Sequence, residues 1–410
     1  MNIVKLAYFD EFQCTNSECP DSCCKDSWNI WLSRREYLDF KKRDMKPEFR
    51  EIADKCVKRV KDTGDDYKYA KILHNEDGCP FLTENDLCMI HKEFGENALG
   101  YVCKTFPRHY ASIGDDAVAM SCTSTCYHVN ELLMRHPEGL AITEEEYKQN
   151  AKTVFSSFTV RKNWEGYPYY WDILGAEIDI LQNRSFTVSE RLLILGYFCQ
   201  KADEYMKNGS ANKIPSLAAM LLDNDLCRKI ADSLKPAVPQ SDSSMTDSVS
   251  ILLNLSARIK KTNMASYIKM IDHVLQKTGC TIKEVTEASE KWEVTAYFSK
   301  EAILKLYNVY RHIEEERSYI IENLLVNIVF SQDMQDGIWK NYFITAVFYN
   351  MLRIIAPAFL NEEYSDRELA LALTYAVKIV INSHSAEMGT FEDYVKDNKC
   401  TLPYAALLIC

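Results

Sequence analysis

From about residue 140 to the end of the chain the apolar positions recur with a helical period. Leu369, Leu373, Ala376 and Val380 fall at i, i+4, i+7 and i+11, which makes one stripe of a helix that must face a core. Similar stripes run through Arg191 to Met206, Glu301 to Glu315 and Tyr342 to Ile355. Four helix starts are predicted by a hydroxyl followed three residues later by an acid: Thr143 with Glu146, Thr187 with Glu190, Thr281 with Glu284 and Ser365 with Glu368. In each, the hydroxyl can take an unpaired N–H of the first turn while the acid reaches back. Pro236-Ala237-Val238-Pro239-Gln240-Ser241-Asp242-Ser243-Ser244 has no apolar period and reads as a linker. The expected fold is mainly α, with an irregular Cys-rich metal-cluster domain over 1–135 followed by an all-helical lobe. A linker at 236–248 divides that lobe into 136–235 and 249–410.

The chain has 410 residues, 47% hydrophobic and 26% charged, enough apolar surface for a real core. A net charge of −11 repels a phosphate backbone and argues against nucleic-acid binding, while it attracts a lysine-bearing partner. Only 13 glycines are present and no two lie within two residues of each other, so no G-x-G phosphate turn or P-loop exists. The first thirty residues carry acids and cysteines rather than a basic and then an apolar region, so no signal peptide is expected. The apolar run from Asn341 to Leu352 is too short to span a bilayer, so a cytoplasmic protein without a membrane anchor is expected. The dense aromatic run Tyr167-Pro168-Tyr169-Tyr170-Trp171 reads either as a packed junction or as a surface for a protein or a methylammonium.

Cysteine changes the picture. Ten of the 15 lie before residue 127, and in a reducing compartment such crowding points to a metal site rather than to disulfides. Cys14, Cys19, Cys23 and Cys24 form one close set; Cys79, Cys88, Cys103 and Cys122 form a second, with Cys126 as an added thiol. Gly78 before Cys79, with Glu84, Asn85 and Asp86 before Cys88, predicts a hairpin-like connection that brings Cys79 near Cys88. These eight are the candidate metal ligands, as two four-Cys sites or as one site plus structural thiols. Zinc and an iron–sulfur cluster both accept four thiolates, and spacing does not separate them. The competing reading, scattered core thiols, fits vicinal cysteines poorly. Cys199, Cys227, Cys280, Cys400 and Cys410 are isolated and read as buried or incidental.

The order Tyr8, Phe12, Cys14, Cys19, Asp21, Cys23-Cys24, Trp28, then Cys79-Pro80-Phe81-Leu82, Cys88 with Ile90-His91, Cys103 with Phe106-Pro107-Arg108, and Ser121-Cys122 resembles the flagellin lysine N-methylase family. Two features differ: Thr123 stands where the family's closing block has proline, and Asp26 stands where a radical S-adenosylmethionine loop would need its third cysteine. The resemblance implies a bacterial cytoplasmic enzyme that moves methyl groups from S-adenosylmethionine to lysine ε-amines of flagellin, with a Cys-ligated iron–sulfur cluster of the 4Fe–4S kind. Arg108 would then either pair with the carboxylate of S-adenosylmethionine or brace the cluster loop. The alternative is a non-catalytic zinc- or iron-binding protein whose helical lobe recruits a partner. Oligomeric state is not expressed in the sequence.

Overall fold

The computed structural model describes residues 2–26, 30–61, 66–75, 78–146, 157–235, 242–261, 264–288, 291–381, 392 and 394–410. In chain order the N-terminal third holds β1 (Asn2–Leu6), β2 (Ile30–Leu32), α1 (Arg34–Lys42), α2 (Pro47–Cys56), β3 (Val57–Arg59), β4 (Ala70–Ile72), α3 (Met89–Phe94), α4 (Tyr101–Thr105), β5 (Arg108–Ile113), β6 (Ala117–Cys122) and α5 (Tyr127–Leu133). There follow β7 (Ile142–Glu146), β8 (Phe158–Val160), α6 (Tyr170–Gln182), α7 (Val188–Lys207), α8 (Ile214–Met220), α9 (Asn224–Leu234), α10 (Asp242–Lys261) and α11 (Ala265–Lys277). A hairpin of β9 (Thr281–Ala288) and β10 (Lys291–Tyr297) precedes α12 (Lys300–Phe330), α13 (Ile338–Ala358), α14 (Asp366–Val380) and a terminal helix Leu402–Ile409.

The protein is mainly helical, but two parts of the expected class are corrected. The first third is not irregular: β7-β1-β6-β5-β8 form one mixed sheet in that order, and β2-β4-β3 a small antiparallel one. The remainder is not all-helical, because β7, β8 and the β9–β10 hairpin belong to it. Local helix signals were overridden there by pairing. Thr143 and Glu146 lie in β7, whose register on β1 places Thr143 opposite Lys5, and Thr281 and Glu284 lie in β9, paired to β10. The boxes at Thr187 and Ser365 do cap α7 and α14, as does an equivalent Ser33–Glu36 pair on α1. Of the stretch read as a linker, 236–241 lies outside the described residues and α10 already begins at Asp242.

Two separate cores organise the chain. The small one is built from Ile30, Leu32, Phe40, Phe49, Ala53, Val57, Ala70, Ile72, Phe81 and Ile90. The large one runs without a break from Leu6 and Tyr8 through β5, β6 and α5 to the helices that follow, both halves of the helical region included. α13 is its axis: it packs on α7, α12, α14 and the terminal helix and is buried around its whole circumference from Tyr342 to Ala358. Leu369, Leu373, Ala376 and Val380 are all buried, as their spacing requires. The aromatic run at 167–171 is a junction in part: the Tyr167 hydroxyl donates to Asp116 at the β5–β6 turn and Tyr170 is buried, while Trp171 is exposed. Among the described residues no helix is long and apolar enough to cross a membrane.

Buried amides fasten the sheet to the helices. On α12, the Asn327 Nδ2 donates to Cys122 O at 2.9 Å and to Ser124 Oγ at 2.7 Å, while its Oδ1 accepts from the Tyr8 hydroxyl. One turn earlier, the Asn323 Nδ2 reaches Leu133 O and His136 O at 2.9 and 2.8 Å. From α5, the Asn130 Nδ2 donates to Ser124 O and to Thr374 Oγ1 of α14, both at 2.8 Å. Each is a buried group whose desolvation is offset only by these partners.

One buried acid predicts a pH effect. Burial pushes the Glu177 carboxyl up to about 8, against the opposing hydrogen bond from the Cys199 thiol. The unfolded chain releases this proton near 4.5 and the folded one only near 8, so stability is complete below the first value and falls as pH rises through the second. Glu177→Gln is expected to flatten that decline, which urea midpoints measured at pH 5 and pH 8 will show; equal wild-type and variant slopes would refute the assignment.

Candidate metal centre

The cysteines meet in one place. A cavity of about 540 Å³ lies where the small core meets the large one, and Cys14, Cys19, Cys23, Cys24, Cys79, Cys88, Cys103 and Arg108 line it. Cys122 is not among the lining residues. It is the last residue of β6, fully buried in the large core, with its N–H donating to Tyr8 Oη at 2.9 Å. Cys126, four residues on and just before α5, lines the cavity instead. The strand ends at Cys122 and a turn closed by Cys126 N to Thr123 O carries the chain back to the cavity. Sequence spacing offered no signal for that exchange beyond the presence of the extra thiol.

Each wall of the cavity has a local cause. After β1, a short 3-10 helix at Ala7–Glu11 turns the chain so that Phe12 is buried and Cys14 stays exposed. Cys24 is held from behind, its carbonyl accepting the Cys79 N–H at 2.7 Å. That approach requires glycine at 78: its φ is +112°, and a Cβ there would lie 2.5 Å from the Cys24 oxygen. The predicted hairpin connection is present, with a Leu82–Cys88 bridge and Asp86 at φ +58° in its turn. Met89 N then donates to Phe81 O at 2.8 Å, starting α3, while Cys103 comes from α4. Arg108 opens β5; it stacks on Phe12, 5.2 Å from the ring centre, and donates weakly to Phe12 O at 3.4 Å.

A buried ion triad fixes the Cys19–Cys24 loop from the helical side. Lys378 of α14, with 3% of its side chain exposed, donates to Asp21 at 2.6 Å and to Asp26 at 2.7 Å. Although burial opposes its charge, the two aspartates raise the Lys378 ammonium well above its ordinary value. The loop is thus tied at both ends to a helix more than 350 positions away.

Several thiols of the cavity are held in their protonated form by burial. Burial pushes Cys79 and Cys126 up to about 12 and raises Cys103 and Cys88, with neighbouring thiols adding to the effect. The hydrogen bond between the Cys23 and Cys24 thiols lowers Cys24 and, together with burial, raises Cys23. Ionising the thiols in this setting takes a counter-charge, which a soft cation bound by the thiolates would supply. Among the described residues no three Cys, His, Asp or Glu side chains converge closely enough to hold a single ion. The thiols are spread over the wall of a space much larger than one ion.

A second cavity, about 1030 Å³, lies between α7, α9, α12 and α13. Its cations are largely committed. Arg184 and Arg191 bond to Glu322 at 2.8 and 2.7 Å, and Arg228 and Lys235 to Glu190 at 2.6 and 2.9 Å. Arg353 donates to the carbonyls of Ile409 and Leu408. This is a network that locks helices together.

Comparison with known proteins adds the following. The family model described as the FliB lysine N-methylase C-terminal domain matches residues 176–408, more than half of the chain. A "Lysine-N-methylase" of Salmonella typhimurium is 23% identical over 292 residues, 70% of this chain and 67% of that one, and its Salmonella choleraesuis counterpart matches equally. The "Flagellar biosynthetic protein FliU" of Salmonella muenchen is 28% identical over 149 residues, 36% of this chain and 85% of that one. No solved structure matches.

Lys378→Met would leave Asp21 and Asp26 buried without their counter-charge. The expected loss is about 3 kcal/mol of stability, together with faster alkylation of Cys23 and Cys24. Denaturant midpoints and thiol-labelling rates read both, and an unchanged labelling rate would show that the triad does not hold the loop.

Proposed function

Because the chain belongs to the FliB lysine N-methylase family, we propose that it is a protein-lysine N-methyltransferase that uses S-adenosylmethionine and takes flagellin as its protein substrate. We further propose that the cysteine cavity houses an iron–sulfur cluster and that the enzyme works in the cytoplasm. The observation that carries the cluster is the gathering of Cys14, Cys19, Cys23, Cys24, Cys79, Cys88, Cys103 and Cys126 around one space. The fit favours a polynuclear group over zinc: soft donors surround about 540 Å³ and no trio closes on a single ion.

S-adenosylmethionine, when bound, supplies a methyl group on a positively charged sulfur. The residues of this chain have three tasks around it. Arg108, half held by Phe12, offers a guanidinium at the cavity wall for a carboxylate. Glu96 also lines the cavity and offers an incoming lysine ammonium a counter-charge, Asp21 and Asp86 being committed to Lys378 and Lys25. The lysine must lose its proton before its lone pair can attack, since its reference pKa is about 10.4, and His91 or His128 on the same wall can accept it. His128 is oriented by Glu131, 2.9 Å from its Nδ1. The acidic surface, −11 overall, favours a lysine-rich partner face.

The test is methylation of purified flagellin by the metal-loaded protein with S-adenosylmethionine, read by mass spectrometry of lysine peptides, alongside calorimetric binding of S-adenosylmethionine. Arg108→Ala is expected to weaken that binding about tenfold. Absence of S-adenosylmethionine binding to the wild type, with no methyl-lysine formed, would overturn the reading.

A further inference from the structure

We propose that the eight thiols of the cavity form two separate four-thiolate centres, each holding its own iron–sulfur cluster: Cys24, Cys79, Cys88 and Cys103 the inner one, Cys14, Cys19, Cys23 and Cys126 the outer one. Cys122 belongs to neither. The inference rests on the cluster reading above and goes beyond it in number, in membership and in the separate placing of the two centres.

Valence is the first argument. A cuboidal cluster takes four cysteine thiolates, so eight around one space are twice what one cluster uses. Packing is the second, and it divides them. Cys79, Cys88 and Cys103 pack on the small core, whereas Cys19 and Cys126 pack on the large one. Cys24 joins the inner set through its backbone, which receives the Cys79 N–H at 2.7 Å and abuts Gly78. Electrostatic proximity divides them in the same way. The Cys103 thiol feels Cys24, Cys79 and Cys88; the Cys126 thiol feels Cys19 and Cys14; the Cys23 thiol, beyond its chain neighbour Cys24, feels Cys126 and Cys14.

The vicinal pair is therefore the divide, with Cys23 turned to the outer set and Cys24 to the inner, their thiols in hydrogen-bond contact. The outer centre carries the exposed Cys14, two residues from Phe12, on which Arg108 and His128 pack. It is the centre that a small molecule meets first. The inner one, anchored on a core of its own, is the centre that holds residues 30–103 to the rest.

The full chain, purified and reconstituted without oxygen, is assayed for iron, acid-labile sulfide and Mössbauer spectrum as wild type and as Cys103→Ser, Cys126→Ser, Cys122→Ser and the Cys103→Ser/Cys126→Ser double variant. The expected contents are about eight irons in the wild type and in Cys122→Ser, about four in each of the other single variants and almost none in the double variant. Circular dichroism checks folding, and Cys14→Ser, at an exposed position, repeats the outer-set comparison if Cys126→Ser does not fold. About four irons in the wild type with Cys126→Ser unchanged, or loss of all iron from one single variant, would overturn the two-centre inference and leave the cluster reading standing. A wild type that takes up no iron would overturn both.

Discussion

The side chain on which most of the structure depends is the buried amide of Asn327. It sits inside α12, where an apolar residue would pack well enough, yet it bonds at once to Tyr8 Oη, Cys122 O and Ser124 Oγ. Those three partners belong to the turn after β1, the end of β6 and the loop into α5. One residue of the helical region thereby fixes how the sheet meets it. A buried amide left without partners costs about 1–3 kcal/mol per group, so the sheet cannot slide by one residue without breaking all of these bonds together. The same clamp decides the fate of two cysteines. It draws Cys122 into the core and leaves the following turn to present Cys126 to the cavity.

The cavity exists because two cores do not merge. Residues 30–103 bury their own aromatic cluster, with Phe40, Phe49 and Phe81 in ring contact. The large core begins again at β5. Between them the Cys14–Asp26 loop has no apolar cluster of its own and is held by polar means: the Cys24 carbonyl on one side, Lys378 with Asp21 and Asp26 on the other. Burial raises the Cys79 and Cys126 thiols of this region, so that they stay protonated in the absence of a counter-charge. The region that reads most strongly as chemistry is also the region least able to stand by hydrophobic burial.

What was legible in the sequence follows the range of the forces involved. The α14 stripe and the capping boxes at Thr187 and Ser365 are local, within one or two turns, and they appear as written. The Gly78 to Cys88 turn is local too. Thr143 and Thr281 carry the same box, yet their segments pair as strands with partners that a window of four residues does not contain. β1 and β6 pair in parallel across more than a hundred residues, a contact with no sequence signature at either end. The gathering of the cysteines could be seen from their crowding. The choice between Cys122 and Cys126 could not, since it is made by Tyr8 and Asn327, whose roles emerge only in three dimensions.

The Lys378 triad has a consequence for how the protein is made. Asp21 and Asp26 leave the ribosome early, whereas the lysine that neutralises them is among the last tenth of the chain to be synthesised. Until then the loop bearing Cys19, Cys23 and Cys24 carries two carboxylates whose burial has no counter-charge, which favours their staying in water. The closing of this loop is thus ordered by chain position: α14 must be in place before Asp21 and Asp26 can be buried beside the cysteine-lined cavity.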